Sequence, residues 1–308
     1  MKYKDWLDIW LTHYIKPTCK IRTYERYRKI TEIHILPLLG EIEINDITAV
    51  KLQQVVSTML ESGNKRTNGK LSANTVKSII SVLQNSLRTA KNMGYLNDYM
   101  ADKIHRPKAT EKRIECFTST EQKKIEQAVS ESCKIKLRGI VICLYTGLRI
   151  GELLALRWED IDFTKGKLTV NHTCHDANVN GRHVRLLDSP KTENSSRQIP
   201  LSKPLLAILK EMKKTSKCEY IIADGTKPVF VRSYQRTFEL LLKRLNIPHK
   251  GFHSLRHTFA TRALECGMDV KSLSEILGHK NATITLNRYA HSLWEHKAEM
   301  MNKLSKNL

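Results

Sequence analysis

Gly251-Phe-His-Ser-Leu-Arg-His-Thr-Phe-Ala-Thr261 is the stretch on which the reading of this chain turns. Leu255, Phe259 and Ala263 recur at helical spacing and make one core-facing side, within a helix expected over Ser254 to Glu265. His253 and Arg256, three apart, then share another face, so an imidazole and a guanidinium point together. Upstream, Thr146-Gly-Leu-Arg-Ile-Gly-Glu-Leu-Leu-Ala-Leu156 sets Arg149 just after a glycine turn and at the start of an amphipathic helix. Backbone N–H groups and the helix dipole favour an anion at such an end, and the guanidinium would add a two-pronged phosphate fork. Downstream, Leu277-Gly-His-Lys-Asn281 supplies His279 directly after a glycine cap, and Tyr289 follows ten residues later in Leu286-Asn-Arg-Tyr-Ala-His291. Each piece alone is an ordinary surface, turn or packing residue. Two arginines, two histidines and a tyrosine in this order are hard to explain as accident.

Around these motifs the chain reads as mainly α. Four helices are expected in the first hundred residues: Trp6 to Tyr14, Thr23 to Ile35, Thr48 to Leu60 and Ser72 to Met93. In the last, Val76, Ile79, Ile80, Leu83, Leu87 and Ala90 keep helical spacing and Gly94 follows as a C-terminal cap. Residues 101–116 are charged and aperiodic, with Lys103, Arg106, Pro107, Lys108, Lys112 and Arg113, and read as a linker. A second domain, 117–291, opens with Thr118 and Glu121 at capping-box spacing. Helices run to about Leu156. Lys167 to Asn171, His183 to Leu187 and Arg197 to Pro200 then read as short strands of a small antiparallel sheet. Helices resume with a face of Leu205, Ile208, Leu209 and Met212, and continue at Ser233 to Leu245, Val270 to Leu277 and Ala282 to Tyr289. The tail, 292–308, is expected as a last helix with Leu293, Trp294, Ala298 and Met301 on an apolar side.

Composition excludes several classes. The 308 residues carry 52 Lys and Arg against 31 Asp and Glu, a net charge of +21. The excess is spread over the chain, with 18 basic against 10 acidic residues before residue 110 and 34 against 21 after it. Such a balance fits a polyanion contacted along the whole chain, most simply nucleic acid. The N-terminus has no apolar export segment and no window approaches a membrane span, and the seven cysteines lack any Cys-x-x-Cys, so a cytoplasmic protein with reduced thiols is expected. Gly63-Asn-Lys-Arg-Thr-Asn-Gly-Lys-Leu71 has five residues between its glycines and Leu71 where a phosphate loop needs a hydroxyl, so it reads as a turn. His172, Cys174 and His175 are too close, without a distant fourth ligand, to read as a zinc site, and no carboxylate cluster suggests a two-metal nuclease.

The motifs together resemble the tyrosine recombinases, the phage-integrase family of site-specific DNA recombinases, over nearly the whole chain. The resemblance makes Arg149 the first arginine, His253 and Arg256 the His-x-x-Arg pair, His279 the third basic position and Tyr289 the nucleophile. It places the lysine of a β-hairpin at Lys191, in Ser189-Pro-Lys-Thr-Glu-Asn-Ser-Ser-Arg-Gln-Ile-Pro-Leu201. It implies an all-helical core-DNA-binding domain and an α+β catalytic domain closing as a clamp on double-stranded DNA, with a 3′-phosphotyrosine intermediate and no metal, ATP or other cofactor. It also implies a homotetramer working through a Holliday junction, with the tail docked on a neighbour, and accessory bending or excision factors as further partners. The core-binding helices begin almost at Met1, so a protein acting on simple sites, or a shortened form without an arm-DNA-binding domain, is expected. The alternatives from the same residues are a type IB topoisomerase and a non-catalytic DNA-binding protein that keeps the fold.

Overall fold

The computed structural model describes residues 1–64, 67, 69–108, 115–179, 181–188, 196–279, 281–289, 301–302 and 304–305. The fold is mainly helical with small antiparallel sheets, and the chain divides into two compact units, Met1–Lys112 and Arg113–Leu308.

In the first unit, α1 (Tyr3–Ile9) runs on as a widened turn to Ile15, and α2 (Ile21–Ile30) does the same to Ile35 before the short α3 (Leu36–Leu39). α4 (Ala49–Ser62) and α5 (Ala73–Asn92) complete the bundle. The apolar stripe expected on α5 is buried at all six positions, and Gly94 beyond its end takes the left-handed conformation (φ +78°). Ser72 caps the start of α5 by accepting the Thr75 N–H. The aromatic core is tied to α5 through one buried hydroxyl: Ser86 Oγ lies 3.1 Å from the Trp6 indole nitrogen and 3.2 Å from the Tyr3 hydroxyl. At the stretch expected as a turn, 63–71, Asn64 and Gly69 are paired as a β-bridge, and residues 65, 66 and 68 lie outside the described residues. Part of the expected linker has structure of its own. Ala101 and Ile104 are buried in the core of this unit, and the Gln84 amide donates to the Ala101 carbonyl at 2.8 Å. Residues 109–114, the rest of that span's charged centre, lie outside the described residues.

The second unit opens at Phe117 and α6 (Ser119–Ser130), whose Thr118–Glu121 capping box is present as expected. α7 (Arg138–Thr146) is almost wholly buried and forms the middle of the core. α8 (Ile150–Ala155) follows after the Gly147 turn. The single sheet expected from the sequence is instead divided. β1 (Ile161–Asp162), β2 (Lys167–Val170) and β5 (Arg197–Pro200) form one antiparallel sheet in the order β1-β2-β5, with Leu168 opposite Ile199 and Val170 opposite Arg197. β3 (Thr173–Val179) and β4 (Arg182–Asp188) form a separate hairpin. β3 was not expected because Thr-Cys-His-Asp-Ala-Asn-Val has no alternation of apolar and polar residues. Its partner strand makes it extended, not its own composition. The His172, Cys174 and His175 cluster falls at this strand: Cys174 is buried, and His175 Nδ1 lies 3.8 Å from Asp188 Oδ2 across the hairpin.

The remaining elements are a two-stranded antiparallel pair, β6 (Ala223–Asp224) and β7 (Lys227–Pro228), and the helices α9 (Lys203–Thr215), α10 (Val231–Arg244), α11 (His253–Glu265), α12 (Val270–Leu277) and α13 (Ala282–Tyr289). Asp269 caps α12 by accepting the Ser272 N–H. Among the described residues no helix is long and apolar enough to cross a membrane. Of the expected tail helix only residues 301–302 and 304–305 are described, so its docking lies outside the described residues.

Candidate active site

Two helix ends that require glycine bring the site together. α7 ends at Gly147 (φ +66°), where a Cβ would come within 2.5 Å of Phe259 and 2.8 Å of Leu277. α12 ends at Gly278 (φ +64°), where a Cβ would stand 3.0 Å from the Arg197 side chain. The left-handed conformation and the lack of space both select glycine, and the turn carbonyls are left exposed to donors.

Arg256 fills that junction. It is 1% exposed, on a helix that already buries Leu255, Ala260, Ala263 and Leu264, with the expected Phe259 only partly buried. Its guanidinium donates to the Gly147 carbonyl (2.9 Å) and the Leu277 carbonyl (2.8 Å), and its Nη2 lies 2.9 Å from His279 Nε2. An arginine only donates, so Nε2 is the acceptor and the ring proton sits on Nδ1, 2.7 Å from the Thr285 hydroxyl on α13. Thr285 is wholly buried, so the histidine is held between an arginine and the helix that ends at Tyr289.

Arg149 occupies the N-cap of α8. The backbone N–H expected to meet an anion at this helix start is already taken from within the chain. Glu152 accepts the Arg149 N–H (2.9 Å) and pairs with the Arg149 guanidinium (2.7 Å), and α8 is only six residues long. The other end of the guanidinium reaches the Gly278 carbonyl at 3.4 Å. Glu152 in turn receives both Nη groups of Arg197, at 3.1 and 2.8 Å. Burial by itself raises this carboxyl, but the hydrogen bonds and charge of Arg197, with the charge of Arg149, outweigh it and hold the group at about 2.

The structure therefore brings Arg149, Arg256 and His279 to one place. His253 opens α11 on the exposed side, its ring edge-on to His257 at 4.6 Å between centres. Tyr289 is the last residue of α13; its side chain lies outside the described residues, as does the whole of Lys191. Three residues were missed by the sequence reading: Glu152, Arg197 and Thr285. Glu152 could have been found, since it stands three positions after Arg149 at capping-box spacing. Arg197 had a signal too, as a charged residue in phase with Ile199 on the inward side of β5. Thr285 had none.

The pattern of the phage integrase family matches residues 115–296, and that of the phage integrase N-terminal SAM-like domain matches residues 2–60. This chain belongs to the phage integrase family. A tyrosine recombinase XerC-like protein of Caldanaerobacter subterraneus subsp. tengcongensis is 29% identical, across 98% of this chain and 82% of that protein. The fold is also that of the Tn1549 transposon integrase solved with a circular intermediate DNA, with a TM-score of 0.80 at 23% identity over 99% of both chains. A lambda integrase tetramer bound to a Holliday junction gives a TM-score of 0.69 at 23% identity, over 92% of this chain and 79% of that one. In this integrase-family chain the glycine-ended turns and the buried Arg256 lie inside the matched family region.

Proposed function

We propose that the protein is a site-specific tyrosine recombinase that breaks and rejoins DNA in integration or excision, with Tyr289 as nucleophile. The observation that carries the reading is the convergence of Arg149 and Arg256 on the carbonyls of two glycine turns, with His279 against Arg256, in a chain of the phage integrase family. Residues 1–100 serve as the core-DNA-binding domain, 101–116 as linker and 117–291 as the catalytic domain on this reading. Both contact the duplex through their positive charge.

The Tyr289 hydroxyl attacks the scissile phosphorus. A free tyrosine has a pKa near 10, so at neutral pH its proton must pass to a base, and His253, exposed at the start of α11, takes it. Arg149 and Arg256 hold the non-bridging oxygens and offset the charge that builds on them, with His279 beside them. Lys191 gives a proton to the departing 5′-oxygen. The P–O bond to tyrosine replaces the P–O bond to the 5′-oxygen, so the 3′-phosphotyrosyl link keeps the energy for rejoining. A 5′-hydroxyl of another strand reverses the step without ATP. Three positive side chains and two imidazoles supply the electrostatic help, so no metal is needed on this reading. Four protomers on two duplexes would exchange one strand pair at a time in the cytoplasm through a Holliday junction, the DNA to which the lambda integrase tetramer is bound, with the tail docking between protomers and accessory factors setting direction.

The test uses nicked suicide DNA drawn from the sequences flanking the gene, with EDTA and no nucleotide. A covalent protein–DNA band on a denaturing gel that is lost in Tyr289→Phe, while DNA binding persists, is the expected result. A band that requires added metal would overturn the metal-independent step. Binding with no adduct on any flanking sequence would make the chain a DNA-binding protein, and relaxation of supercoiled circles without strand exchange would make it a topoisomerase.

A further inference from the structure

We propose that Arg197 is a positioning residue of this site, locking Arg149 and the Leu277-Gly278-His279 turn to one another through Glu152. The inference rests on the recombinase reading above.

The alternation of β5 turns Arg197 and Ile199 inward and Gln198 and Pro200 outward. Ile199 is an ordinary core residue opposite Leu168. Arg197 at the equivalent inward position buries a permanent charge, its side chain 7% exposed, which is costly without full pairing. The pairing is specific. Both terminal nitrogens engage the two Glu152 oxygens, and Nε donates to the Ile276 carbonyl at 2.6 Å. The guanidinium lies flat against Gly278, close enough that a Cβ there would meet its Cδ, Nη1 and Cζ at 3.0 to 3.2 Å.

The same carboxylate carries Arg149, through the side chain and the main-chain N–H. Arg149 is much less buried, its side chain 41% exposed, and a lone exposed arginine samples many rotamers. Glu152 restricts it only if Glu152 is itself fixed, and Arg197 fixes it from behind. On the other side Arg197 holds the carbonyl of Ile276, two residues before Gly278 and three before His279. One planar fork thus spans the cap that aims the first arginine and the turn that aims the third basic residue. A lysine has the charge but not the three divergent donors.

The experiment compares wild type, Arg197→Lys and Arg197→Gln in single-turnover cleavage of the suicide DNA. DNA affinity and melting temperature are measured alongside. Cleavage at saturating DNA should fall about 100-fold in both variants, with DNA affinity within about twofold, because a small misplacement of phosphate-binding groups costs the chemical step more than binding. A second substrate carries a methylphosphonate at the scissile position, which removes one negative oxygen. If Arg197 acts by aiming the phosphate-binding groups, the deficit shrinks on this linkage. A loosened fold would slow both linkages equally and follow the loss of melting temperature, which would overturn the proposal. So would full activity in Arg197→Lys, which keeps the buried charge and guards against a glutamine variant that does not fold. Absence of any adduct with wild type would instead overturn the recombinase reading, and the inference with it; wild-type cleavage matched by Arg197→Lys overturns the inference alone.

Discussion

The cores of the two units differ in what they bury. Among the described residues, the helical unit buries polar groups that are all uncharged: Thr31, Gln84 and Ser86. The second unit buries the charged Glu152, Asp160, Arg197 and Arg256, and His175 besides. Hydrophobic burial needs no geometry beyond close packing, whereas a buried charge must be met by partners at fixed distances. The first core is thus built for folding and for carrying a basic surface. The second desolvates Glu152, Arg197 and Arg256 with the partners of each within hydrogen-bond reach, which fixes their positions as the proposed chemistry requires.

Replacing Arg256 by glutamine should give the largest separation between the two cores. It removes the group proposed to hold the phosphate and leaves the Gly147 and Leu277 carbonyls without their donor, so cleavage should drop about 1,000-fold. Single-turnover adduct formation measures this, and a loss below tenfold would contradict the role given to Arg256. Trp6→Ala should do the opposite. It empties a fully buried site in the first core and should cost about 3–5 kcal/mol in urea unfolding of that unit. The rate of cleavage at saturating DNA should stay near wild type, and a parallel loss of cleavage would show that the two cores are not separable.

The smallest effect is confined to acid. The folded Glu152 carboxyl is held below its ordinary value of 4.5, at about 2, so its ionised form stabilises the fold. That contribution is complete above pH about 4.5 and is lost as the pH falls toward 2. The melting-temperature gap between wild type and Glu152→Gln should therefore be constant from pH 8 to about 5 and close below it. A gap that persists at pH 2.5 would mean that the carboxylate charge is not what Arg149 and Arg197 hold.

Much of this was legible from the chain. The six-residue apolar stripe of α5, the Thr118–Glu121 box and the glycines after α7 and α12 are local signals, and each stands where its spacing placed it. β3 was not legible, since its residues are extended only by pairing with β4. Ala101 and Ile104 were not either, because two apolar residues in a charged stretch carry no period that would mark them as core.

The sequence by itself determined which residue types are present at the site and the helix ends that carry them, because helical period, capping and glycine turns act over three or four residues. Only the tertiary structure decided that Arg256 is buried against carbonyls from two other elements, that His279 is held by Thr285 from α13, and that Arg197 of a distant strand backs Glu152. Those contacts join residues 6 to 109 positions apart. Hydrogen-bond geometry at that separation is set by how the elements pack against one another.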